Sequence, residues 1–177
     1  MNSEKTQIAR KTPSAPMRWI VNNFYFSPFD PVLHFGEGKA FADTELLKNP
    51  PYGSGPLVVA FDPNSPDEWK RDRAILDQEY FVGVSVYVFN TLLPAARKAA
   101  FEDLMGCCEN LIIAVRTDKV KGSPALGCDG VTTKRGTFQT QLDAGAWMEW
   151  FQRMSPEGTS VTPLQSNGSY VIISVKR

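Results

Sequence analysis

Residues Pro31 to Phe41 read PVLHFGEGKAF. Val32 to Phe35 is a short apolar run with strand character. Gly36-Glu37-Gly38 stops it, and Lys39 to Lys48 then carries Phe41, Leu46 and Leu47 at positions where a helix can pack them. Strand, glycine turn and helix in this order open a parallel α/β layer, because a parallel crossover needs a helix to return the chain. The rest of the chain is read outward from this unit.

Downstream, the continuous apolar run Leu57 to Phe61 predicts a second buried strand, stopped by Asp62-Pro63-Asn64, with proline removing a ladder donor. Residues 66–79 are polar and leave room for a short surface helix at most. Phe81 to Phe89 predicts a third strand ending at Asn90, and Pro94 to Leu104 a helix with proline in its first turn and Gly106 as its stop. Leu111 to Val115 predicts another buried strand. Asp143 is placed to cap a helix through about Met154, with Trp147, Trp150 and Phe151 on one face. Thr159 to Leu164 and Tyr170 to Val175 flank Ser166-Asn167-Gly168, and Asn-Gly between apolar runs signals a hairpin. Residues 1–16 are polar, contain two prolines and lack periodicity. They predict a flexible N-terminal arm before an α/β domain over 17–177.

Ligands of open parallel sheets bind where strands end and helices begin. Gly36 and Gly38 follow the first strand and Asp62 ends the second, which is the nucleoside-binding arrangement: glycine admits backbone to the ligand, and a carboxylate accepts hydrogen bonds from ribose hydroxyls. The same rule disposes of Asn49-Pro50-Pro51-Tyr52, the tetrapeptide with which amino-methylating DNA methyltransferases hold a flipped base. It lies before the second strand, at the opposite edge, where asparagine and two prolines simply end a helix.

At 177 residues the chain suits one domain. Nineteen basic and nineteen acidic side chains cancel, so no global field draws it to nucleic acid or an anionic membrane, and tight nucleic-acid binding is not expected. Nothing approaches the ~20 apolar residues of a membrane span. The N-terminus lacks an apolar signal stretch, which makes the cytoplasm the expected compartment, a host's cytoplasm if the chain is phage-encoded. Cys107 and Cys108 are adjacent and read as core residues, Cys128 stands alone, and His34 is the sole histidine, so no zinc spacing is present and no metal is expected. A conventional serine or cysteine hydrolase would need His34 as its base.

Five stretches, VLHFGEGKAFADTELL, VVAFDPNSP, VYVFNTLLPAAR, LIIAVRTDK and DGVTTKRGTFQ, resemble the class I S-adenosylmethionine-dependent methyltransferases. In particular they resemble a group associated with DNA phosphorothioation loci and found in phages. The resemblance spans about residues 14–153, and DGVTTKRGTFQ is its most specific part. It implies a Rossmann-like sheet ending in an antiparallel hairpin, with S-adenosylmethionine as cofactor. Gly36, Glu37, Gly38, Asp62, Pro63, Asn64 and Asn90 would bind that cofactor: the glycines face its methionine part, Asp62 its ribose, and Asn90, the catalytic candidate, lies beside the methyl group. Two positions depart from the family pattern, with His34 in place of the acid ending the first strand and Ala40 at the third glycine position. The short span between Asp62 and Phe81 implies a sheet trimmed around the family's third strand.

The segment Arg116 to Gln139 carries five basic and two acidic residues and exceeds the ~12–15 residues usual for a structureless loop. It is read as a solvated loop or as a lid. In the lid reading Lys134 and Arg135 bind an anionic acceptor, Thr137, Phe138 and Gln139 shape the pocket, and Gly130 and Gly136 act as hinges. The expected activity is methyl transfer to an unidentified acceptor, with a link to phage or DNA-modification biology. The alternatives are a non-catalytic cofactor- or partner-binding module of the same fold and a phage enzyme that degrades the cofactor.

Overall fold

The computed structural model describes residues 11–38 and 41–177. Helix α1 (Ala15–Asn23) precedes β1 (Pro31–Phe35), α2 (Phe41–Lys48) and β2 (Leu57–Phe61). Two 3-10 turns, Glu68–Arg71 and Arg73–Asp77, lead to β3 (Tyr80–Val86), a third turn over Phe89–Thr91, and α3 (Pro94–Cys107). Then follow β4 (Cys108–Arg116), β5 (Ser123–Pro124), β6 (Gly130–Thr132), β7 (Phe138–Thr140), α4 (Ala144–Met154), β8 (Ser160–Ser166) and β9 (Tyr170–Lys176).

The main sheet runs β2-β1-β3-β4-β9-β8. Its first four strands are parallel, and β9 joins β4 and β8 antiparallel. Strand order reverses beside β1, which has β2 on one side and β3 on the other. No strand flanks β2 on its outer side among the described residues, as the short Asp62–Phe81 span implies. The terminal hairpin turns at Asn167, whose Oδ1 accepts the amides of Ser169 and Tyr170 at 2.9 and 3.0 Å.

Alternation along the strands divides the core into two layers. Leu111, Ile113 and Val115 pack with Phe101 and Leu104 of α3 and Trp147 and Phe151 of α4. Ile112 and Ala114 pack with Met17 and Ile20 of α1 and Leu47 of α2. Phe89 joins the first layer, with its ring centroid 5.5 Å from Phe151 and 6.3 Å from Phe101 in edge-on contacts. Each such pair contributes roughly 0.5–1.5 kcal/mol beyond buried area, so the turn holding Asn90 is anchored by its neighbour.

Several elements differ from the sequence reading. Ser14 caps α1 by accepting the Met17 amide at 3.2 Å, and Pro16 is buried, so residues 14–16 belong to the packed domain and not to an arm. Residues 1–10 lie outside the described residues. Gly106 does not stop α3. The helix continues through Cys107, which is buried, and β4 begins at once. The third strand ends early, because Tyr87 adopts φ +62° while its amide donates to the Ala114 carbonyl at 2.8 Å. Asn90 therefore sits in the following 3-10 turn. The segment 116–139 contains a three-stranded antiparallel sheet, β5-β6-β7. Strands of two or three residues are too short for periodicity to reveal.

Candidate functional site

A cavity of about 520 Å³ opens at the carboxyl ends of β1, β2 and β3, beside the reversal in strand order where ligands of open α/β sheets bind. Gly36, Glu37, Gly38, Asp62, Pro63, Asn64 and Asn90 all line it. Asn49 to Tyr52 do not. They lie between α2 and β2, where the Asn49 amide continues the helix by donating to Glu45 at 3.0 Å and Tyr52 is 75% exposed.

The glycine turn is held from two directions. Gly36 has φ +77° and donates its amide to the Phe61 carbonyl at 2.7 Å. A Cβ there would fall 2.2 Å from Val88 Cγ2, so glycine is required by both conformation and packing. Asp62, 5% exposed, accepts the Gly38 amide on Oδ2 at 2.6 Å and the Asn64 amide on Oδ1 at 2.8 Å. The carboxylate thus ties the end of β2 to the turn after β1. It offers about four lone-pair sites, so about two remain for a guest. Ala40 lies outside the described residues.

Glu37 faces a buried network. Thr44 Oγ1 donates to its Oε1 at 2.5 Å, and Lys70 Nζ donates to its Oε2 at 2.5 Å. Lys70 also lies 3.2 Å from Asp67 Oδ2 and 4.6 Å from the centroid of the Phe41 ring. Since the Thr44 proton goes to Glu37, the 2.7 Å contact between Thr44 Oγ1 and His34 Nδ1 is a donation from imidazole. Burial lowers the His34 pKa below its ordinary value, against the raising influence of Asp43, Glu37 and Asp62. The imidazole is therefore neutral with its proton on Nδ1. Asp43 in turn accepts the Ser14 amide at 2.6 Å, tying α1 to the same network.

On the opposite wall, Asn90 is 2% exposed and donates from Nδ2 to Gln139 Oε1 at 3.1 Å. Thr137, Phe138 and Gln139 reach the cavity on β7 and the residue before it. Lys134 and Arg135 do not line the cavity; they are exposed at the tip of the β6–β7 hairpin. Gly130 is no hinge. It lies within β6, where a Cβ would meet the Gln139 carbonyl oxygen at 2.2 Å. Gly136, φ +73°, forms the hairpin turn by donating to Thr133 at 2.9 Å.

The hairpin is fastened by Arg97, which the sequence reading did not single out. Its side chain is 1% exposed. Nη1 donates to Thr140 Oγ1 at 3.0 Å, Nη2 donates to Asp129, and the guanidinium lies 5.2 and 5.3 Å from the rings of Trp147 and Trp150. A signal was present: Arg97, Phe101 and Leu104 share one helical stripe, so an arginine occupies a core position. Arg116, at the end of β4, also lines the cavity and donates to both carboxylate oxygens of Asp118, at 2.9 and 2.5 Å. At the mouth, Arg73 and Asp103 pair at 2.9 Å.

No protein-family model matches the sequence, and comparison with curated proteins gives no match. Solved structures do match. A 1,6-didemethyltoxoflavin-N1-methyltransferase of Burkholderia thailandensis, with bound 1,6-didemethyltoxoflavin and S-adenosylhomocysteine, has a TM-score of 0.60 at 13% identity, over 92% of this chain and 77% of that one. The small RNA methyltransferase HEN1 has a TM-score of 0.63 at 13% identity, over 91% of this chain and 24% of that one. A Rhodobacter sphaeroides protein named as a presumed zinc-dependent alcohol dehydrogenase has a TM-score of 0.61 at 12% identity, over 100% of this chain and 99% of that one. Among the described residues of this chain, no group of three or more His, Cys, Asp or Glu is placed to hold a metal ion. Likeness at this identity speaks for architecture, and the architecture is a Rossmann-like α/β fold that this chain shares with these methyltransferase structures.

Proposed function

We propose that this protein binds S-adenosylmethionine and transfers its methyl group to an acceptor. The observation that carries this reading is the cavity at the reversal in strand order, closed on one side by Asp62 bound to the Gly36–Gly38 turn. The cavity volume falls within the ~300–1,000 Å³ of small-molecule sites. The residues fit the group: Asp62 would take the ribose hydroxyls, the Gly36–Gly38 turn the methionine part, and Pro63 and Asn64 the wall beside the nucleoside. Bound S-adenosylmethionine supplies an electrophilic methyl on a sulfonium. The chain's own contribution is to position the acceptor and exclude water, with Asn90 and Gln139 at the acceptor side and Phe138 covering it.

Calorimetry of the purified protein with S-adenosylmethionine and S-adenosylhomocysteine tests the reading. Saturable binding of both is expected, and absence of binding would refute it. Product analysis separates the alternatives: a methylated acceptor marks a transferase, no product a binding module, and cofactor fragments a degrading enzyme. The resemblance to proteins of phosphorothioation loci and phages supports a link to DNA-modification biology without making DNA itself the acceptor.

A further inference from the structure

The cavity wall carries a second message, about charge. Among its described residues are four carboxylates, those of Glu37, Asp43, Asp62 and Asp103, and two guanidinium groups, those of Arg73 and Arg116. Both guanidinium groups already face carboxylates, of Asp103 and Asp118. An anion brought to either would meet the resident carboxylate as well. Lys70 likewise meets Glu37, which leaves Asp43 and Asp62 as the lining carboxylates outside any ion pair among the described residues, and this remaining negative charge suits a sulfonium and opposes an anionic guest. Lys134 and Arg135, the cations expected to meet an anion, stand outside at the hairpin tip.

Four buried side-chain atoms lack a hydrogen-bond partner among the described residues: Ser85 Oγ, Arg97 Nε, Asp129 Oδ1 and Asn90 Oδ1. Of these residues, Asn90 alone lines the cavity. One N–H of its amide is committed to Gln139, and the atom left wholly without a partner is the carbonyl oxygen, an acceptor. An unpaired buried carbonyl costs free energy that a donor can recover.

We propose that the methyl acceptor is an uncharged small molecule that presents an amine N–H to Asn90, such as an aromatic amine. This rests on the methyltransferase reading and narrows its substrate class. An uncharged nitrogen keeps the lone pair that attacks the methyl; as the new N–C bond forms, the S–C bond breaks and its electron pair returns to sulfur. The proton then leaves the methylated nitrogen for solvent.

Ligand-observed NMR on protein saturated with S-adenosylhomocysteine tests this with matched pairs that all carry an aromatic amine, 3-aminobenzamide against 3-aminobenzoate and 4-aminobenzamide against 4-aminobenzoate. The amides are expected to bind and the acids to bind at least tenfold more weakly. Asn90→Leu, compared as folded protein saturated with S-adenosylhomocysteine, should weaken the amides about tenfold. Equal or tighter binding of the acids would overturn the proposal, as would failure of every amide to bind or an unaltered affinity in folded Asn90→Leu. Should that variant not fold, the comparison of amide with acid on the wild type still decides. A wild type that takes no S-adenosylhomocysteine fails at the preceding step and refutes the cofactor reading instead.

Discussion

Replacing Lys70 by Met removes one member of an ion pair that is almost wholly withdrawn from water. The Lys70 and Glu37 side chains are 7% and 1% exposed and meet at 2.5 Å. Breaking such a pair from one side strands the other charge, at a cost of ~3–5 kcal/mol, far above the value of an exposed pair. For a chain of this size each kcal/mol lowers Tm by ~2–4 °C, so Lys70→Met should melt ~6–20 °C early. The double variant Lys70→Met with Glu37→Gln leaves no stranded charge and keeps an oxygen for Thr44. It should lose only ~1–2 kcal/mol, giving a coupling of at least ~2 kcal/mol. Urea unfolding followed by fluorescence and circular dichroism, together with calorimetric melting, measures all corners of the cycle. A loss below about 1 kcal/mol in Lys70→Met, or losses that simply add in the double variant, would refute the view of the pair as a buried fastening of the glycine turn. Because Glu37 lies between Gly36 and Gly38, folded Lys70→Met should also bind S-adenosylhomocysteine more weakly.

Asp62→Ala should weaken S-adenosylhomocysteine binding by ~1.5–3 kcal/mol, the scale of hydrogen bonds to a charged group; equal affinity by calorimetry would remove the ribose assignment. Asn49→Ala and Tyr52→Ala should leave cofactor affinity unchanged by the same measurement, and a total loss in folded protein would place the site at the other sheet edge. The depressed pKa of His34 has a pH consequence. The unfolded imidazole gains its proton near pH ~6.5 whereas the buried one resists it, so stability from this group is complete above ~6.5 and is lost as pH falls from there toward the folded pKa. Tm measured from pH 8 downward should therefore fall more steeply below about pH 6.5 in wild type than in His34→Gln, and parallel curves would contradict the neutral assignment.

The order of elements was legible in the sequence because it rests on local rules. Short apolar runs, glycine and proline breakers and helical stripes act over a few residues, and they placed β1, β2, α4 and the terminal hairpin close to where they lie. Order also placed Gly36 to Gly38 and Asp62 at one edge of the sheet and Asn49 to Tyr52 at the other, since a parallel strand always delivers its carboxyl end to the same edge. What each side chain meets was not legible. Glu37 looked like a cofactor residue from its place between glycines, yet its carboxylate is taken by Lys70 and Thr44. Gly36 answers to Val88 as well as to its own φ, and Arg97 fastens a hairpin built from strands too short to show a period. DGVTTKRGTFQ read as part of a solvated loop or of a lid acting as one piece, but the hairpin turns Thr137, Phe138 and Gln139 into the cavity and leaves Lys134 and Arg135 outside. Backbone preference and hydrophobic period belong to neighbouring residues, so they set which edge holds the site. Hydrogen-bond partners and the pairing of charges join residues dozens of positions apart, so only the packed chain decides what that site can hold.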